Sequence, residues 1–165
     1  MWVILVLGSF FLAELYGYFL HVLLHSYWIP PLSRGHMNHH LRSYPPGKPQ
    51  RSKLYVHEVS SETRLFFGLG LEWIIPSITI LILTVFAENL LGLSWAQIIV
   101  SITAILSYTI FMFWFLHETF HIKGHKILRI PLIKKWYLRA RRLHDIHHHY
   151  VDDKGFINKN YGIGF

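Results

Sequence analysis

The chain has 165 residues, 52% of them hydrophobic and 16% aromatic, with a formal net charge of +7, thirteen histidines and no cysteine. With a mean hydropathy of +0.31, this composition is too apolar for an ordinary soluble domain and places the chain in the membrane class. The lack of cysteine excludes disulfides, iron–sulfur clusters, thiolate-ligated haem and cysteine-based zinc sites, so any metal here must be held by nitrogen or oxygen.

Three apolar segments are long enough to cross a bilayer core, which takes about 20 helical residues. The first runs from Met1 to about His25. Its long apolar stretch has no basic residues before it, so it reads as a retained anchor rather than a cleaved leader, and Pro30-Pro31 closes it. After a basic stretch, YPPGKP (residues 44–49) reads as an ordinary break. The second span is expected from Leu65 to Ala87, with a kink at Pro76 and with Gly68 and Gly70 as packing residues. The third is expected from Leu93 to Leu116. Ala87-Glu88-Asn89 and Gly92 make a short turn before it and Ser94 is its N-cap, so the second and third spans form a hairpin. Residues 131–143 open at Pro131 and are amphipathic. Leu132, Ile133, Trp136, Tyr137, Ala140 and Leu143 share one face, and Lys134, Lys135, Arg139, Arg141 and Arg142 the other, as in a helix lying at the membrane surface. The fold expected is therefore all-α: a single domain, residues 1–165, forming an integral membrane helical bundle with three or four transmembrane helices.

All sixteen Lys and Arg fall in two windows, six between Arg34 and Arg64 and ten between Lys123 and Lys159. The positive-inside rule makes both windows cytoplasmic and puts the 88–92 turn on the other side. A basic face beside anionic lipid accounts for the net charge without any nucleic-acid partner.

Every histidine lies in a basic window or at the cytoplasmic end of a span. Ten fall into four boxes: HVLLH (His21, His25), HMNHH (His36, His39, His40), HETFH (His117, His121) and HDIHH (His144, His147, His148). An i, i+4 pair shares a helix face, and the rings at i+3 and i+4 each project within about 60° of the ring at i because each residue turns 100°. A single pair could be an idle interfacial feature. Four boxes carried to one side of one membrane point instead to a shared metal site, since neutral imidazole is a common ligand and ten rings exceed the four ligands of a tetrahedral zinc. They suit two ions with about five nitrogens each, in a histidine-rich di-metal cap. His125, one turn beyond His121, is left undecided because Gly124 interrupts; His57 and His149 lie off these faces. Glu14, Glu72 and Glu118 are candidates to hydrogen-bond ligand histidines and fix their tautomers, with Asp145 a weaker one.

In order and spacing the boxes resemble the fatty acid hydroxylase/sterol desaturase superfamily of integral-membrane di-iron enzymes: H-x-x-x-H, H-x-x-H-H, a membrane hairpin, H-x-x-x-H, a basic segment and a final H-x-x-H-H. The likeness runs from about Ala13 to the end. HETFHIKGH is similar to the matching segment of sphingolipid fatty acid 2-hydroxylases, the basic segment to bacterial β-carotene hydroxylases, and Asn160-Tyr161-Gly162 to bacterial sterol desaturase-type members. The resemblance implies two iron ions held by the ten boxed histidines, with zinc able to substitute on purification. It also implies hydroxylation of an unactivated C–H bond of a lipid with O₂, the lipid being fatty acyl, sphingolipid, sterol or carotenoid. Superfamily members usually have four spans; three are clear here. No dinucleotide fingerprint is present, so electrons would come from a separate donor of ferredoxin or cytochrome b5 type with its reductase. Three alternatives stay open: desaturation at the same site; a zinc protease built on HETFH, a match to H-E-x-x-H; and a non-catalytic metal-binding protein.

Overall fold

A segment rich in Leu, Phe, Tyr and Val with no proline favours one long helix at the N-terminus, α1 (Trp2–Ser26). The structure, a computed structural model, describes residues 2–63 and 71–149, with side chains left out at 60–63 and 71–72. Gly68, Gly70, the Asn160-Tyr161-Gly162 segment and the carboxylate of Glu72 lie outside the described residues.

The buried residues of α1 are Ser9, Ala13, Gly17, Leu20, Leu24 and His25, a stripe at three- and four-residue intervals that is small or polar over its first half. Val3, Ile4 and Phe11 are instead 71%, 76% and 70% exposed. Small residues inside and large apolar ones outside is the packing expected where lipid is the surroundings, because burying a large side chain there gains little and close backbone approach gains dispersion contacts.

The helix packed against this stripe is α5 (Trp95–Thr109), started by a capping box between Ser94 and Gln97. Two polar contacts fasten the pair: Ser9 Oγ to Ser101 Oγ at 2.8 Å, and the Tyr108 hydroxyl donating to Glu14 Oε2 at 2.9 Å. Phe10 stacks on Tyr108 with centroids 5.2 Å apart. Between α1 and α5 in the chain lies α4 (Leu71–Leu90), which passes through Pro76 without ending. The Tyr16 hydroxyl donates to the Pro76 carbonyl at 2.7 Å, tying α1 to α4 there. The α4–α5 turn closes with Leu93 N donating to the Glu88 carbonyl, and Gly92 takes the left-handed φ of +74° that a Cβ would disfavour.

Among the described residues, three helical stretches are long and apolar enough to cross a membrane: Trp2–Ser26, Trp73–Leu90 and Trp95–Phe120. The third is not uniform. After α5 it widens into a π-helical stretch, Ile110–Leu116, and returns to α-helix as α6 (His117–Phe120).

The remaining elements gather at the end of the bundle where α1 and α6 finish. Proline at its first positions suits α2 (Pro30–Asn38), which runs into a π-helical turn, His39–Ser43. Beyond α3 (Lys53–Thr63) and the spans, Gly124 turns the chain at φ +67°, and a 3₁₀ turn, Lys126–Arg129, leads into α7 (Pro131–His149). Of the apolar face expected on α7, Tyr137 and Ala140 are buried against Met112, Leu116 and Phe120, while Leu132 stays 92% exposed. The Tyr137 hydroxyl donates to the Thr119 carbonyl at 2.8 Å and so fixes α7 on α6.

An ideal Cβ on Gly17 would meet the Phe113 ring at 2.2 Å. Gly17→Leu should therefore overpack the contact between α1 and the third span and destabilise the protein by about 1–3 kcal/mol, read as an earlier thermal loss of the monodisperse peak in detergent. Gly8→Leu, where a Cβ meets nothing within 4 Å, should leave that transition in place.

Candidate metal centre

The four boxes converge. His21, His25, His36, His40 and His147 form one group, and His39, His117, His121, His144 and His148 a second; within each, the candidate ligand atoms lie within 4.8 Å of one another. Each group thus takes an i, i+4 pair from the end of a membrane span, an i, i+4 pair from one H-x-x-H-H box, and a single histidine from the other. His36 and His40 with His147 make up the first centre, and His144 and His148 with His39 the second, so the two are related by exchange of roles.

This differs from the single shared face expected of each H-x-x-H-H box. Neighbours in sequence, His39 with His40 and His147 with His148, turn to opposite centres, as the 100° step between adjacent helical residues requires. The centres share a wall, where the His40 and His148 rings lie 4.1 Å apart at 32°. The π-helical stretches adjoin this arrangement. Each wide turn adds a residue relative to α-helix and so rotates the remainder of the helix by about 100°, which resets the faces that His117 and His121 present relative to α5.

In the first centre the Nε2 atoms of His40, His36, His25 and His147 form a chain, each step 3.1 Å. In the second, His121 Nε2 lies 3.1 Å from His39 Nε2. A ring nitrogen carries either one proton or one in-plane lone pair, so His36 Nε2 and His25 Nε2, each facing two other Nε2 atoms, cannot satisfy both neighbours by hydrogen bonds. Nitrogens bound to a metal at about 2.1 Å would be separated by roughly 3.0 Å at octahedral right angles and by roughly 3.4 Å at tetrahedral ones. The observed spacing falls between the two. Buried nitrogens without a hydrogen-bond partner among the described residues, including His21 Nε2, His148 Nε2 and both nitrogens of His144, fit the same requirement for a cation.

Outside the membrane spans, burial holds the pKa values of His36, His39, His40, His121, His144 and His148 well below 6.5, and the neighbouring imidazoles push them further down. These rings are therefore neutral at pH 7, the state in which they ligate.

The 44–49 stretch is more than a break between elements. His121 Nδ1–H donates to the Pro49 carbonyl at 2.7 Å and His148 Nδ1–H to the Tyr44 carbonyl at 3.0 Å. Because a carbonyl can only accept, each bond fixes the proton on Nδ1 and leaves Nε2 free for a metal. The buried Tyr44 ring stacks on His121 at 3.7 Å and 17°. The stretch is held in turn by Gln50 donating to Asp145 Oδ2 at 2.6 Å and by a parallel bridge between Arg51 and Ile122. In the first centre, by contrast, Nδ1 of His25 and of His40 is buried without a partner among the described residues. No sequence signal marks Tyr44 and Pro49 for this role, because backbone carbonyls and a stacking ring leave no motif.

Among the carboxylates considered, Glu14 is engaged by Tyr108, Asp145 by Gln50, and Glu118 sits between His117 and His121 but belongs to neither donor group. His125 caps the 3₁₀ turn, accepting from Ile127 N at 3.3 Å, and is in neither group; His57 and His149 are exposed. No protein-family model matches the chain, no curated protein is significantly similar to it, and no solved structure matches it.

Purified protein loaded with a divalent transition metal should bind two ions. His36→Ala or His39→Ala should each reduce the content toward one, and the double variant toward none, as measured by elemental analysis. Tyr44→Ala keeps the carbonyl that accepts from His148 and removes the ring stacked on His121, so it should weaken one of the two ions by about 2–10-fold, the equivalent of a stacking contact. In the metal-free protein the six neutral imidazoles outside the spans take up protons on unfolding once the pH falls below about 6.5. Stability should thus be intact above that pH and decline as the pH drops below it, visible in melting curves between about pH 7.5 and 5.

Proposed function

We propose that the chain is a membrane-bound di-iron oxygenase of the fatty acid hydroxylase/sterol desaturase type, hydroxylating an unactivated C–H bond of a lipid. The observation that carries this is the pair of adjacent centres built from ten histidines, five to each, at the end of three helices able to span a membrane. Five neutral nitrogens exceed the four ligands typical of zinc and match a metal whose coordination is larger or partly open. A donor set without thiolate also offers the oxidant no sulfur to attack. When bound, two iron ions would supply the O₂ activation that side chains cannot. The overall change balances as one oxygen atom inserted into C–H and the other reduced to water, with two electrons and two protons taken up. We assign the electrons to an external ferredoxin or cytochrome b5 type donor, and the boxes and basic windows to the cytoplasmic side on charge grounds.

The chain's own residues have definite tasks in this scheme. The boxed histidines would hold the ions and remain uncharged through burial. The Tyr44 and Pro49 carbonyls keep two ligands in one tautomer. Leu20, Leu24 and Leu32 form one apolar cluster, and Met112, Leu116, Phe120 and Tyr137 another, with the Phe120 ring against His144. Desaturation would use the same centre. A zinc protease based on HETFH accounts for His117 and His121 but leaves them crowded by His39, His144 and His148, where a hydrolytic zinc keeps an open position.

Protein reconstituted with iron and supplied with O₂, a reductase and membrane lipid should yield a lipid heavier by one oxygen atom, detected by mass spectrometry of the extract. His147→Ala and His39→Ala should abolish the product while leaving membrane insertion unchanged. A peptidase activity lost in Glu118→Gln and retained in His39→Ala would overturn the proposal in favour of the protease.

A further inference from the structure

Trp73, near the start of α4, belongs to two neighbourhoods at once. Its ring meets the His36 ring of the first centre edge-on, centroids 6.3 Å apart at 79°. It also faces Phe113, with centroids 5.7 Å apart. Within the spans, α1, α4 and the third span leave a groove lined by Trp73 itself and by residues that include Ala13, Gly17, Leu20, Ile105 and Phe113. Trp73 lines this groove and also meets His36, so one ring separates the groove from the first centre.

The chemistry of the lining limits what could fill it. Among the described residues, no Asp, Glu, Lys or Arg lines the groove, and the Tyr16 hydroxyl on its wall is donated to the Pro76 carbonyl. Apart from Ser77 and Thr109 the rest of the lining is apolar or aromatic, so a charged or strongly polar headgroup would lose more hydration there than two hydroxyls replace. Ala13 and Gly17 keep the floor low, but the Phe113 ring leans so close to Gly17 that a Cβ would meet it at 2.2 Å, which constricts the passage. A flexible methylene chain passes such a constriction more readily than a fused-ring body.

We propose that this groove binds one alkyl chain of a membrane lipid and directs it toward the first centre, with Trp73 forming the barrier between the chain and His36. The proposal deepens the oxygenase assignment by naming where its substrate lies, and rests on that assignment only for what happens to the chain afterwards. It makes the first centre, rather than the one supported by Tyr44 and Pro49, the substrate-side metal.

The test is photolabelling of the full chain in lipid nanodiscs with a long-chain fatty acid carrying a diazirine near its methyl end, the adducts being located by peptide mass spectrometry. Adducts are expected on groove residues of α1, α4 and the third span. They should be competed by unlabelled fatty acid and not by a sterol. Ser77→Phe, at a half-buried wall position, should cut groove labelling roughly tenfold by filling the space, with two metal ions retained as the control for folding. Trp73→Ala should extend labelling to the peptide carrying His36. Adducts confined to outward residues such as Phe11, Ile82 and Ile99, or competed by sterol instead, would overturn the proposal. Groove labelling without any lipid oxidation would keep the groove and sink the oxygenase assignment. Oxidation with only outward labelling would do the reverse.

Discussion

Ten imidazoles pressed together, with no carboxylate in either group among the described residues, are the constraint around which this molecule is built. Burial keeps the rings outside the spans neutral, yet Nε2 atoms only 3.1 Å apart cannot all be satisfied by one another's protons. A cation in each group would relieve both conditions at once, converting opposed lone pairs into shared ligands. The same feature makes the cap sensitive to acid, because protonating one ring places a positive charge among neighbours that cannot hydrate it.

The membrane spans supply the frame. Their packing reverses that of a soluble bundle, with serine, alanine and glycine facing inward on α1 and large apolar side chains outward. Without a hydrophobic drive between helices, the Ser9–Ser101 and Glu14–Tyr108 contacts take on the task of fixing which helices meet and at what height. Glu14 is thus a carboxylate used between helices. A slip of one turn along α1 would displace His21 and His25 by about 5.4 Å, far more than a metal centre tolerates.

The two centres are alike in ligand pattern and unlike in surroundings. The 44–51 segment lies against the second, lending it two carbonyls and a stacked ring. In the first, among the described residues, Nδ1 of His25 and of His40 has no such support, and His36 instead faces Trp73. In the proposed function this inequality separates a centre held rigid by the protein from one adjoining the apolar groove.

The sequence by itself determined the class and most of the inventory. Apolar runs of spanning length, an N-cap at Ser94, a turn at 88–92 and an amphipathic helix after Pro131 are all local signals, and the helices formed where they lie. The boxed histidines were legible too, since four-residue spacing is a property of one helix. Only the tertiary structure decided how they divide. Whether His39 joins His40 or His117 depends on the angle at which α2 meets the spans and on π-helical turns that a strict 3.6 period does not register. The roles of Tyr44, Pro49 and Trp73 were equally hidden, because a backbone carbonyl or a ring edge gains its meaning only from what another part of the chain brings against it.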